Sequence, residues 1–107
     1  MIRLEPVASI LRFYPDDTDD PLANYTASCT LVYESSSVVW VKGLVGELSR
    51  KNLRELLRFF IDNSICLVKT IRASGSLPYA TKIDGKYCEL DLTSDIIKFR
   101  KLAGLPV

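Results

Sequence analysis

Between residues 49 and 63 the apolar side chains return at a strict helical period, and this segment constrains the fold more than any other. Leu53, Leu56, Leu57, Phe60 and Ile61 fall at i, i+3, i+4, i+7 and i+8, the spacing of one buried helix face. Ser49 is placed to cap the first turn, because its hydroxyl can accept from free backbone N–H groups there. Leu48 before the cap and Leu53 inside the helix have the spacing of a hydrophobic staple. Asn63 is expected to stop the helix in a left-handed conformation.

The flanking segments read as strands. Val38-Val39-Trp40-Val41 is apolar on both faces, which predicts a central strand with Trp40 in the core or else as an interface anchor. Ile65 to about Ala73 is a second such run, so strand, helix and strand form a crossover unit. Upstream, Tyr25, Ala27, Cys29, Leu31 and Tyr33 alternate with Thr26, Ser28 and Thr30, the period of a half-buried antiparallel strand over 25–34. A further strand is expected over 2–14, with Pro6 marking its start or an edge. Downstream, Ile83-Asp84-Gly85-Lys86 carries the Asp-Gly signal of a type I′ hairpin turn, which needs positive φ at both central residues. Tyr87 to Leu92 returns with Cys88, Leu90 and Leu92 inward, and a short helix from Ser94 to Ala103 groups Ile96, Phe99 and Leu102. These elements make one α+β domain over residues 1–107: a mainly antiparallel sheet, one central amphipathic helix, a C-terminal hairpin and a short final helix.

Composition narrows the chemistry. The chain has no histidine, which removes Ser-His and Cys-His pairs and histidine metal ligands from its own repertoire. Cys29, Cys66 and Cys88 are widely spaced, form no C-x-x-C, and read as buried, reduced thiols. No stretch of 18 apolar residues occurs and the first residues do not resemble a signal peptide, so a cytoplasmic protein with no membrane partner is expected. The loop with Asp16, Asp17, Asp19 and Asp20 lacks the spacing and glycine of a calcium loop and reads as a solvated loop, so no metal site is expected. No catalytic set and no cofactor are assigned.

Charge is uneven. Residues 1–40 carry two basic and six acidic side chains, and residues 41–107 carry twelve and seven. Arg50, Lys51, Arg54 and Arg58 gather on the solvent face of the main helix, where basic groups in the first turn oppose the helix dipole. Tyr79 and Tyr87 are expected to share an aromatic surface on the C-terminal hairpin. These six residues are the candidate interaction surface.

The segment Val38 to Ala73, a strand, a glycine-containing turn, a helix and a strand, resembles the cofactor-binding core of the GNAT superfamily of acetyltransferases. In that family a turn of the form [RQ]-x-x-G-x-[GA] presents backbone N–H groups at a helix N-terminus to the pyrophosphate of coenzyme A. The matching stretch runs from Lys42 to Ser49. It places Gly43 and Gly46 at a different spacing, with Glu47 where phosphate charge would sit. The resemblance covers about a third of the chain. It implies a pared-down relative, similar to small phage and prophage proteins.

Three functions follow as expectations. The first is a non-enzymatic assembly or interaction domain, homo-oligomeric or bound to another protein, with strands at 2–14 and 77–92 leaving sheet edges. The second is an acyl-CoA-binding or acetyltransferase-like protein, with Gly43 and Gly46 as the phosphate turn and Tyr79 or Cys66 as an acid. The third is nucleic-acid binding through the arginine face.

Overall fold

A computed structural model describes residues 1–2, 7–15, 25–72 and 79–107. Pro6, the acidic loop at 16–20 and the Gly-Ser stretch at 74–76 lie outside those residues. Six strands and two helices follow one another as β1 (Ala8–Phe13), β2 (Ala27–Tyr33), β3 (Val38–Gly46), α1 (Arg50–Asp62), β4 (Leu67–Ile71), β5 (Lys82–Asp84), β6 (Tyr87–Asp91) and α2 (Ile96–Leu102). The strands form one sheet in the order β1-β2-β3-β4-β6-β5. Every neighbouring pair is antiparallel except β3 and β4, which α1 connects as parallel strands. The α+β architecture expected from the sequence is therefore the one observed.

Alternation sorts the strand side chains onto two faces. Phe13, Ala27, Cys29, Leu31, Val39, Val68 and Leu90 face inward, and Leu56, Leu57 and Phe60 of α1 and Phe99 of α2 complete the core they share. Both helices thus cover the same face of the sheet. Leu53 and Ile61, at the margins of the helical stripe, are half-buried.

Local chemistry fixes the helix ends. Ser49 Oγ accepts from the N–H of Asn52 at 3.0 Å, and Asn52 Oδ1 accepts from the N–H of Ser49 at 3.2 Å, a reciprocal capping box. At the other end Asn63 is not left-handed. Its φ is −98°, its side-chain amide donates to the Phe59 carbonyl at 2.8 Å, and the positive φ of 59° falls on Ser64. In α2 the helix starts after its N-cap Asp95, not at Ser94, and Ile96, expected on one side with the buried Phe99, is exposed.

Two turns differ from their sequence signals. The β5–β6 hairpin pairs Asp84 with Tyr87, so its two loop residues are Gly85 and Lys86. Gly85 has φ 61° and Lys86 is not among the residues with positive φ, which is the pattern of a type II′ turn rather than I′ at Asp84-Gly85. The stretch Gly43 to Gly46, expected as a turn, is the second half of β3. Thr30 pairs with Lys42 and Ser28 with Val45, so Gly43 and Leu44 together oppose Cys29. That is a β-bulge with Gly43 at φ 61°, the glycine form of the irregularity.

Gly46 closes the pairing with Ala27 at φ 87°, where a Cβ would lie 2.3 Å from the Thr26 carbonyl oxygen. Around Gly43 a Cβ would meet nothing within 4 Å. Gly46→Ala is therefore expected to destabilise the fold by about 2–3 kcal/mol. Gly43→Ala should cost only about 1 kcal/mol, for the left-handed backbone alone. Urea unfolding of the two variants checks the difference; equal losses would contradict the role assigned to Gly46.

Candidate functional site

Backbone pairing between β3 and β4 is short. It joins Val38 to Leu67, Val39 to Val68 and Trp40 to Lys69, and then ends. Beyond Trp40 the strand enters the Gly43–Leu44 bulge, and a bulge bends its strand and increases its twist. β3 stays with β2 and leaves β4. Thr70 stands at the vertex of the resulting fork. Its hydroxyl donates to the Val41 carbonyl at 2.9 Å, supplying by side chain the bond that the ladder no longer makes.

The fork opens into a cleft of about 680 Å³. Val41, Gly43 and Leu44 form one wall and Val68, Thr70 and Ile71 the other. Leu53, Leu56 and Leu57 of α1 close the helix side, and Cys29 and Leu90 lie deeper. Glu47 and Tyr79 stand among the polar groups of the lining. Burial pushes the Cys29 thiol above its ordinary value, so it is a neutral thiol at neutral pH.

Of the residues singled out from the sequence, Gly43, Gly46 and Tyr79 line this cleft. Arg50, Lys51, Arg54 and Arg58 are exposed along α1. Arg58 faces Asp62 at 3.7 Å, an exposed pair of small energetic weight. Cys66 is exposed rather than buried; it precedes β4, at the end of that strand remote from the cleft. Among the described residues no group of three or more Cys, Asp or Glu could hold a metal ion. Nor is any helix among them long and apolar enough to cross a membrane.

Trp40 is not in the core. It projects from the sheet face opposite the helices, with Tyr87 beside it at 5.9 Å between ring centroids. The ammonium groups of Lys42 and Lys69 lie 5.6 and 5.5 Å from the Trp40 ring. Lys69 also pairs with Glu34 at 2.9 Å, and this hydrogen bond holds the Glu34 carboxyl below its usual range. Tyr79 and Tyr87 therefore do not share a surface: Tyr87 lies on the open sheet face and Tyr79 on the helix side. The Tyr87 hydroxyl donates to Glu89. That bond, then partial burial and the Glu89 and Glu34 charges, pushes the phenol up to about 12.

With this geometry in hand, comparison with known proteins adds no relative: no family model, no curated protein and no solved structure matches the chain. The cleft was invisible in the sequence because it requires two strands to separate. The only sequence trace of it is the glycine pair, 43 and 46, which marked an irregularity without revealing that it lies inside a strand.

Two outcomes follow. Thr70→Val removes the donor to Val41 and should lower stability by about 1–2 kcal/mol in urea unfolding. A change within error would mean that the clasp does not hold the vertex. In an alkaline absorbance titration, Tyr87 should ionise near pH 12, and Glu89→Gln should bring it back toward 10.0. Because the folded value lies above the unfolded one, its contribution to stability is present below pH 10 and is lost as pH rises toward 12.

Proposed function

We propose that this chain binds a ligand of the acyl-coenzyme A class in the cleft between β3 and β4. The observation that carries this reading is the fork itself: two parallel strands paired over three residues and then parted around an apolar, open-ended space. Strand edges that separate leave backbone N–H and C=O groups facing the gap, and an extended chain bearing amides can pair with them as an added strand. The arm of coenzyme A is such a chain, with two amides in an otherwise flexible and largely apolar thread. The resemblance of Val38–Ala73 to the acetyltransferase core supports the same reading.

The anticipated phosphate turn does not enter in its original form. Gly43 and Gly46 shape the strand and the cleft wall, and Glu47 adds a carboxylate at the lip. The reading stops at binding rather than transfer, because the Cys29 thiol is neutral and the Thr70 hydroxyl is engaged with Val41. Calorimetric titration with acetyl-CoA tests it. Heat should be measurable at micromolar to millimolar ligand, and Leu44→Asp, an exposed change at the cleft wall, should weaken binding at least tenfold. No heat at millimolar acetyl-CoA would remove the proposal.

A second reading, self-association, is favoured by the uncovered face of the sheet. Trp40, the residue type most enriched at interface hot spots, sits there between two lysines with Tyr87 beside it. Light scattering of the wild type should show a dimer that Trp40→Glu dissociates. A strict monomer at high concentration would end this reading. Nucleic-acid binding draws no comparable support from this face, whose lysines lie among Glu34, Glu89 and Asp91.

A further inference from the structure

Beside the cleft, between the first half of α1 and the end of α2, lies a second cavity of about 450 Å³. Arg50 and Arg54 of α1 and Lys101 of α2 line it, over a floor that includes Leu53 and Leu57. No carboxylate lines it among the described residues. Arg54 also borders a separate, smaller pocket, which it shares with Lys51, Glu55 and Arg58. Arg50, Arg54 and Lys101 make no ion pair and no side-chain hydrogen bond among the described residues. The Arg54 stem runs against the chain end of α2: a Cβ on Gly104 would sit 3.4 Å from Arg54 Cδ. This packing directs one guanidinium to the seam of the two helices.

Three like charges around one concave space repel one another, and no carboxylate of the described residues lines that space to offset them. Elsewhere on the molecule Arg58 faces Asp62 and Lys69 pairs with Glu34. The cavity also shares Leu53, Leu57 and Tyr79 with the cleft, so the two spaces adjoin. A molecule whose extended arm lies between β3 and β4 would leave the cleft past Tyr79 and reach these cations.

We infer that the groove formed by Arg50, Arg54 and Lys101 is a phosphate site, which holds the phosphate groups of the ligand whose arm occupies the cleft. The inference rests on the cleft reading for the identity of that ligand, but the site itself is defined by its own three cations. Phosphate oxygens accept from the forked guanidinium of an arginine in pairs and from a lysine as a point charge. The anion is thus gripped by side chains of two helices rather than by a glycine turn.

The two halves of the ligand can be tested apart. Inorganic pyrophosphate and pantetheine, which has the amide arm and no phosphate, are each titrated into ¹⁵N-labelled protein. Pyrophosphate should move the amide signals of 50–54 and 101–104, and pantetheine those of 41–44 and 70–72. In an Arg54→Gln, Lys101→Gln double variant, both exposed positions, pyrophosphate and coenzyme A should bind at least tenfold more weakly and pantetheine unchanged. Arg50→Gln alone, as an independent variant, should weaken pyrophosphate severalfold. Undiminished pyrophosphate binding in the variants, or none to the wild type, overturns the inference. Pantetheine binding without pyrophosphate binding leaves the cleft reading standing and removes the groove. Arg54-dependent pyrophosphate binding without pantetheine binding does the reverse.

Discussion

One extra residue in β3 governs much of what this molecule can do. Opposite the single residue Cys29 the strand places two, Gly43 and Leu44, and resumes its register with β2 only at Val45. A ladder that absorbs an extra residue must bend, and here the bend carries β3 away from β4. Without the bulge the parallel pair could continue past Trp40 and fill the space with its own hydrogen bonds. The positive φ at Gly43 makes the irregularity cheap, the closure at Gly46 against Thr26 holds its far end, and Thr70 fixes the vertex. The cleft is therefore a consequence of backbone geometry, lined by side chains rather than carved by them.

The second constraint is that both helices lie on one side of the sheet. α1 must cross over that side to connect parallel β3 and β4, and α2 packs next to it through Phe99. The inner face consequently carries the aliphatic core, and the outer face carries a mixed layer with Trp40 at its centre. Lysines flank the indole, and carboxylates pair or neighbour them, so that face is amphipathic and nearly balanced in charge. The helix side is different. There Arg50, Arg54 and Lys101 gather beside the cleft with no ion pair among the described residues, which separates a charged groove from an apolar one along a single path.

The parts of this fold that depend on nearby residues were legible in the sequence. The α1 stripe, its Ser49 cap and the alternation of β2 and β6 are set by side chains a few positions apart, and each is found where the pattern placed it. What depends on a partner strand was not legible. A glycine pair reads as a turn until Cys29 is seen opposite it. The Asp84-Gly85 signal shifts by one residue because the register with Tyr87 decides which residues form the loop. Trp40 sits in a run that is apolar on both sides, so parity alone could not say which face the helices would cover. Cys66 looked buried for a similar reason, although it falls in the loop before β4. The candidate site was visible only in fragments: Tyr79, the two glycines and the arginine face appeared as separate features. Lys101 had no signal at all, because its relation to Arg54 exists only once α2 has packed beside α1.

The central claim is that β3 and β4 pair briefly and then part. Cross-strand nuclear Overhauser contacts in the unliganded protein test it directly. The account predicts backbone contacts between Trp40 and Lys69 and none between Gly43–Gly46 and Ile71–Arg72. A continuous ladder of contacts reaching Gly46 would show the strands zipped together, and would contradict both the cleft and the function drawn from it.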